Sequence, residues 1–359
     1  MASRFDATWT RGLVEFRKAG VTYEKPTFTF LTKYLFGGQG VRTEEDYIAT
    51  KYRKKEHKLI PDTRRGDNAK RLSRDFSYKR EIYETPYFFY EDGIGRDDRK
   101  TLCFGEDPNN RRSYRERLLY KLSEKTDSIR RDLDLIPEKY CADILLTGKI
   151  VPTVQETGDI VFLRADDVNF PLADNISSEE TKWDSTGFDI YKRIGELVKA
   201  QFRRTGTMPD TMIVPLDVFD LMMTDEKIKE ALDNRSIDIG KIEPLKITAE
   251  GYAEMGLLKF PGAWLRIITY MGFYNDEDGK QQNFLPDDKI ILTNGNIGSV
   301  NYGGLETIGA QGEPIPIAGE ELITVHTNDD IPATKTVKIQ RAPLPIPEVL
   351  NGWKTVTVL

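Results

Sequence analysis

The sequence predicts an α+β fold, and three observations carry that reading. Strand-like and helix-like stretches are mixed along the chain without the regular βαβ alternation of a doubly wound sheet. One helical stretch, residues 109–147, far outruns the others. It is fed by a basic, extended stretch, residues 51–80, that is too polar to build a core of its own. The 359 residues allow two or three domain-sized units. Hydrophobic residues (39 %) supply a core, and charged ones (31 %) a solvated surface.

Taken in order, residues 1–41 read as an entry arm. Trp9, Leu13, Val14 and Phe16 can form a short apolar face, and Phe28, Phe30, Leu31, Tyr34, Leu35 and Phe36 a denser one. Gly37-Gly38-Gln39-Gly40 then breaks the chain. No Lys-Ser/Thr follows it and no strand–helix context surrounds it, so the glycines predict a hinge rather than a phosphate loop. Residues 47–58 rise as an extended leg, and Pro61, Asp62, Gly66, Asp67 and Asn68 make a turn-rich tip. Residues 74–90 return, with Phe76, Tyr78 and Ile82 on one face and Asp75, Ser77, Lys79 and Glu81 on the other. A two-stranded ribbon is marginal alone in water, so it needs a surface to lie on.

The long helix follows, with Asp107 as expected N-cap, Pro108 at its first position and Gly148 as its stop. Apolar or aromatic residues at 114, 118, 122, 129, 133, 136, 140 and 144 recur in steps of three, four or seven. Pro137 predicts a kink or short break near residues 133–136. The spacing is not a strict heptad, which argues against a coiled coil. Residues 150–170 read as strands, and 171–180 as a polar loop. A second unit starts near Thr186, with an amphipathic helix over 187–202, a buried strand at 212–214 and a helix opened by Pro215. Strands at 263–274 and 289–292 are stopped by the turns at 275–279 and Asn294-Gly295. The last stretch holds a strand at 337–340, a polyproline-like link through Pro343, Pro345 and Pro347, and a final strand from Trp353.

The net charge of −6 hides an asymmetry. Residues 51–80 hold twelve basic and four acidic residues, a net +8, leaving −14 on the rest. A basic ribbon on an acidic body suits nucleic acid or another copy of that body. Cys103 and Cys141 form neither a disulfide framework nor a zinc pattern and read as packing residues in a reduced compartment. No run reaches about 18 apolar residues, so no span of a membrane is expected.

Chemistry finds no foothold. His57 and His326 are isolated, which excludes a histidine-based metal cluster. Gly-x-Ser-x-Gly, dinucleotide and Walker patterns are absent, and pairs such as Asp97-Asp98, Asp287-Asp288 and Asp329-Asp330 read as solvated turns. No cofactor and no enzyme activity are expected. Basic residues interleaved with Tyr52, Phe76 and Tyr78 could meet phosphates and stacked bases, but the acids spread through the ribbon argue against sequence-specific recognition.

One ordered set of motifs is specific. It comprises Arg111-Arg112-Ser113-Tyr114-Arg115, Leu146-Thr147-Gly148-Lys149, Thr181-Lys182-Trp183, and Ile213-Val214 with Asp217. Lys229-Glu230-Ala231-Leu232-Asp233, Asn283-Phe284-Leu285-Pro286-Asp287 and Gln340-Arg341-Ala342-Pro343-Leu344 complete it. Over residues 43–359 the set resembles the major capsid proteins of lambda-like tailed bacteriophages. The resemblance implies a Hong Kong 97-type capsid fold, with an N-terminal arm (1–41), an extended loop (42–105) and an axial domain (186–331). A peripheral domain with a spine helix would take 106–185 and 332–359. It implies pentamers and hexamers closing into an icosahedral head around double-stranded DNA, and hence a place in the virion after assembly in the host cytoplasm. The implied partners are further copies of the chain, a separate scaffolding protein, a portal at one vertex, a decoration protein at threefold sites, and packaged DNA by non-specific contact. On this reading Arg53, Lys54, Lys55, Arg64, Arg65, Arg71, Arg74, Phe76 and Tyr78 of the extended loop are the expected inter-subunit contacts. A related non-viral nanocompartment shell is the alternative.

Overall fold

The computed structural model describes residues 4–18, 28–53, 78–95, 113–150, 168–170, 175–185, 187–233, 248, 250–260, 263–276, 279–308, 313–328 and 334–359. In chain order the elements begin with β1 (Arg4–Phe5), α1 (Ala7–Lys18), α2 (Phe30–Tyr34), β2 (Tyr47–Arg53), β3 (Tyr78–Glu84) and β4 (Phe88–Ile94). Next come α3 (Tyr114–Thr147), β5 (Lys149–Ile150), β6 (Val168–Asn169), β7 (Ile176–Ser178), α4 (Ile190–Thr205), β8 (Thr211–Val214), α5 (Leu216–Met222) and α6 (Glu226–Ala231). Strands β9 (Leu232–Asp233), β10 (Tyr252–Phe260), β11 (Ala263–Tyr270), β12 (Phe273–Asn275), β13 (Gln281–Asn283), β14 (Lys289–Thr293) and β15 (Gly298–Tyr302) follow. The chain ends through β16 (Gly304–Ile308), β17 (Pro314–Ala318), β18 (Leu322–Asn328), β19 (Thr334–Arg341), β20 (Pro343–Pro347) and β21 (Trp353–Thr357).

The 34-residue α3 is the longest element, spanning about 50 Å at ~1.5 Å per residue. It starts later than Asp107 and Pro108 suggested. Ser113 is the N-cap: its Oγ accepts from the Glu116 amide, and the Glu116 carboxylate accepts from the Ser113 amide. This reciprocal Ser-x-x-Glu box satisfies two amides that the first turn leaves without partners. Replacing Ser113 by Ala is expected to cost about 1 kcal/mol, read as a lowered denaturant midpoint at unchanged slope. Gly148 ends the helix in the left-handed region (φ 75°), and its N–H meets the Ile144 carbonyl. The break foreseen near Pro137 is absent: the helix runs through it, with Pro137 buried. Packing on both sides outweighs the one missing backbone bond.

Two sheets lie against this helix. The first has the order β1-β18-β19-β4 and packs Val325, Val337, Ile339 and Ile94 on Leu13 of α1 and Leu118, Leu119, Leu122 and Leu133 of α3. The second has the order β7-β21-β14-β8-β11-β10-β9. Both its faces are covered, which is why β8 and β14 read as unbroken apolar runs. Met212 and Val214 turn to α4 and α5 with Ile194, Val198 and Val218, whereas Ile213 turns to the core shared with Tyr140, Ile144 and Leu145 of α3.

Several expectations change. Residues 263–274 are not one strand, because β11 stops at Tyr270 and β12 begins at Phe273. The polar loop after Pro171 contains β7, which pairs in parallel with β21. The proline link is strand β20, paired antiparallel with β15. Ala342 O accepts from Gly303 and the Glu348 amide donates to Ile297, so the even-numbered positions face the partner. Pro343, Pro345 and Pro347 therefore turn their N–H-less nitrogens to the open side, where no ladder bond is lost.

The glycine run is no hinge. Gly37 bridges Ser299, the Gly38 amide donates to Gly298 O at 3.1 Å, and the Val41 amide donates to Asn301 Oδ1 at 2.8 Å. A Cβ on Gly40 would sit 1.8 Å from the Val300 carbonyl oxygen, so glycine is needed for close backbone contact. Gly40→Ala must push this strip off β15, and the expected result is loss of soluble folded protein on expression. Gly319→Ala, whose Cβ would meet only ordinary contacts at 3.7 Å, controls for expression.

Candidate assembly surface

The ribbon is built as its alternation suggests, and its base packs through Ile48 and Tyr83. β2 and β3 pair antiparallel from Tyr47↔Glu84 to Arg53↔Tyr78. Ile48 and Tyr83 stand opposite each other and are both buried, with the Tyr83 ring 5.0 Å from Phe170. Ile82, on the face the alternation shares with Phe76 and Tyr78, is 59 % exposed. Strand parity decides this: once Tyr83 is turned inward, Ile82 must point outward. The base is fixed by backbone as well, since both the amide and the hydroxyl of Thr85 donate to the Asp46 carbonyl at 2.9 Å. The Gly304 amide donates to the Glu45 carbonyl at the same distance. The returning leg stops at Glu84; residues 88–94 form β4, whose partner is β19 and not the ribbon.

Of the expected contact residues, the structure brings together Arg53 and Tyr78 as backbone partners at the far end of the paired legs. Lys54, Lys55, Arg64, Arg65, Arg71, Arg74 and Phe76 lie outside the described residues, as does His57.

A second surface was not foreseen. Tyr87 and Phe89 are each 50 % exposed, with ring centroids 6.3 Å apart, and the Lys338 ammonium lies 5.4 Å from the Phe89 ring. The Tyr87 phenol is held above its ordinary value, first by burial and then by the carboxylates of Glu306 and Asp46. The sequence gives a signal only in hindsight: Tyr87, Phe89 and Tyr90 crowd a strand whose neighbours also include Glu91 and Asp92.

Inside the fold, Glu138 of α3 is fully buried and joins three elements. It accepts from the Leu31 amide (2.7 Å), the Thr32 amide (2.8 Å), the Thr32 hydroxyl (2.7 Å) and the Tyr270 hydroxyl (2.7 Å). α2, whose own Thr29 makes no cap bond, is thus capped from α3. Burial pushes the Glu138 carboxyl up, and the donors pull it only partly back.

None of this builds a reaction centre. Cys141 is fully buried and its thiol is pushed well up by burial, which makes it inert. His326 is buried in β18, with Nε2 3.2 Å from the Thr324 hydroxyl. A cleft of about 480 Å³ is lined by Trp183, Asp184, Asp189, Asp225 and Lys227, and two of its three acids are engaged. Asp189 caps α4 at the Lys192 amide and pairs with Lys227, and Asp225 accepts from the amides of Tyr191 and Lys227. Among the described residues no group of three or more His, Cys, Asp or Glu could hold a metal, and no helix is long and apolar enough to cross a membrane.

The model of the family described as phage major capsid protein E matches residues 20–358. The chain belongs to that family. It is a structural protein of the phage head, a subunit of the icosahedral shell, and not an enzyme. The fold agrees. A prophage protein of Escherichia coli CFT073, described as a candidate capsid protein, superposes with a TM-score of 0.67 at 18 % identity, covering 100 % of both chains. A phage-related protein of Bordetella bronchiseptica RB50 gives 0.47 at 12 % identity over 99 % of this chain and 98 % of that one. The mature capsid of bacteriophage PhiM1 gives 0.48 at 9 % identity over 94 % and 88 %. No curated protein matches the chain in sequence. The superposition on the Escherichia coli prophage protein shows the capsid architecture, and the subunit has the Hong Kong 97-type α+β fold expected of it.

Proposed function

We propose that this capsid subunit closes into pentamers and hexamers through its β2–β3 ribbon, the arm that grips a neighbouring copy. The observation that carries the reading is the ribbon itself. Beyond its buried base at Ile48 and Tyr83, the two strands pair only with each other among the described residues. Residues 51–80 carry +8 against −14 on the rest of the chain. A charged two-stranded ribbon gains stability by lying on a complementary body, and copies of the same chain supply one. Arg53, Lys54, Lys55, Arg64, Arg65, Arg71, Arg74, Phe76 and Tyr78 are the contacts of this arm. The division into N-terminal arm (1–41), extended loop (42–105), peripheral domain (106–185 and 332–359) and axial domain (186–331) belongs to the same proposal. So do a separate scaffolding protein, a portal, a decoration protein at threefold sites, non-specific contact with packaged double-stranded DNA, and assembly in the host cytoplasm.

Electron microscopy of the purified protein, alone and with its scaffold, tests the reading. Closed shells with five- and sixfold clusters are the expected result. A protein that stays monomeric under every assembly condition overturns it. Shells that enclose protein cargo instead of a genome favour the nanocompartment alternative.

A further inference from the structure

The chain holds two Asn-Gly steps, Asn294-Gly295 and Asn351-Gly352, and the fold sets them side by side. The first follows β14 and the second precedes β21, the strand paired with it. The Asn294 amide donates to the Gly352 carbonyl at 3.4 Å. Asparagine is chemically labile, and most of all before glycine. Glycine has no Cβ to shield its backbone nitrogen, so that nitrogen can reach the asparagine Cγ if the peptide plane between the two residues turns.

At Asn351-Gly352 that plane is pinned at both ends. The Asn351 carbonyl accepts from Gln201 Nε2 at 3.0 Å and from Arg204 Nη2 at 3.5 Å, and the Gly352 amide donates to the Val349 carbonyl at 3.0 Å. The glycine is also closely packed, since a Cβ there would stand 2.8 Å from Ile297. At Asn294-Gly295 the plane is bonded at neither end: among the described residues no donor reaches the Asn294 carbonyl, and the Gly295 N–H meets no acceptor. Gly295 lies in the left-handed region (φ 85°), with no atom within 4 Å of where its Cβ would be. One bond holds the Asn294 side chain, from Nδ2 to Thr207 Oγ1 at 2.6 Å. Exposure ranks the two steps the other way, because Asn351 is exposed and Asn294 is half-buried.

We propose that Asn294-Gly295 is a site of slow self-modification, at which the Gly295 nitrogen closes on Asn294 Cγ, and that backbone bonding protects Asn351-Gly352 from the same reaction. The Gly295 nitrogen gives up its proton and forms a bond to Cγ. The bond from Cγ to Nδ2 breaks, and that nitrogen leaves as ammonia. The resulting five-membered imide is opened by water. Attack at Cγ gives aspartate, and attack at the Asn294 main-chain carbonyl gives isoaspartate. Water and ammonia balance the change, with no oxidant or reductant, and no second copy of the chain is needed. The product carries one added negative charge and has lost the Nδ2 donor to Thr207. The iso form also adds one carbon to the main chain in the turn that joins the seven-stranded sheet to β15. The turn is thereby a marker of protein age built into the subunit.

Peptide mapping by mass spectrometry of the purified full chain tests the site. The folded protein and a urea-unfolded sample are held side by side in mildly alkaline buffer made with heavy-oxygen water, which labels each product. Unfolded, both steps are expected to react at like rates. Folded, position 294 is expected to convert faster than position 351 by about tenfold or more, because only the second must first break backbone bonds. Isoaspartate among the products at 294 marks passage through the ring. Asn294 left intact while the unfolded sample reacts overturns the proposal. So does conversion of Asn351 as fast as Asn294 in the folded chain, which would mean that exposure or global unfolding sets the order. Aspartate at 294 without isoaspartate would mean direct hydrolysis of the side chain, and overturns it as well.

Discussion

Reversing Arg53, Lys54 and Lys55 to glutamate is expected to abolish shell closure while leaving the subunit folded. The three changes turn residues 51–80 from +8 to about +2, by simple charge counting. Each contact with an acidic neighbour then becomes neutral or repulsive, and like charges placed face to face at an interface cost several kcal/mol. A shell repeats that contact in every subunit, so the effect on closure is all or none rather than graded. The fold is expected to survive it, because the buried base of the ribbon lies at Ile48 and Tyr83. Negative-stain electron microscopy and sedimentation read the loss of shells, and an unchanged far-ultraviolet circular dichroism spectrum reads the intact fold. Normal heads from this variant would sink the assignment of the ribbon as the arm. Added salt acts in the same direction on the unmodified protein. Exposed charges are screened over about 8 Å at physiological ionic strength and over about 3 Å at 1 M, so assembly driven by the ribbon weakens as salt rises.

Much of the fold was legible because it follows from local rules. Period-3.6 spacing marked α3 and α4, Gly148 marked the end of α3, and the apolar runs marked β8 and β14. What failed depends on long-range partners. Asp107-Pro108 and Ser113-x-x-Glu116 are both valid helix starts, and only the reciprocal hydrogen bonds of the second decide between them. The glycines at 37–40 look like a hinge until β15 is brought against them, and the prolines at 343–347 look like a link until β15 pairs with one side of them. The ribbon's polarity and parity were legible, but which face is packed was set by Phe170, some ninety positions away from Tyr83. The aromatic edge at Tyr87 and Phe89 could not be seen in sequence, because openness is a property of the sheet order and not of the strand.

Glu138 is the interior residue whose loss is expected to cost most. Four donors converge on its carboxylate within 2.8 Å, from Leu31, Thr32 twice and Tyr270. Glu138→Ala leaves them without an acceptor inside a closed core, at about 1–3 kcal/mol for each buried group left unmet. A total above ~3 kcal/mol is expected, a large part of the stability of an ordinary domain. The damage has a location, since Thr29 makes no cap bond and Glu138 caps the first turn of α2 while also taking the Tyr270 hydroxyl of β11. Amide exchange at residues 30–34 is expected to rise towards the rate of global unfolding, and unchanged protection there would refute the linkage. Glu138→Gln keeps the size and one acceptor but turns an amide N–H₂ towards donors, so its loss is intermediate. The pH dependence has a definite sign. Burial raises the folded carboxyl above its ordinary value of 4.5, so the folded state holds this proton more tightly than the unfolded chain does. The stability contributed by that protonation is complete below the ordinary value and is lost as pH rises through the folded one. The advantage of the native chain over Glu138→Gln in denaturant melts should therefore be greatest in acid and narrow towards neutrality. A gap that widens with pH would mean that the four donors outweigh burial and that the carboxylate is held ionised.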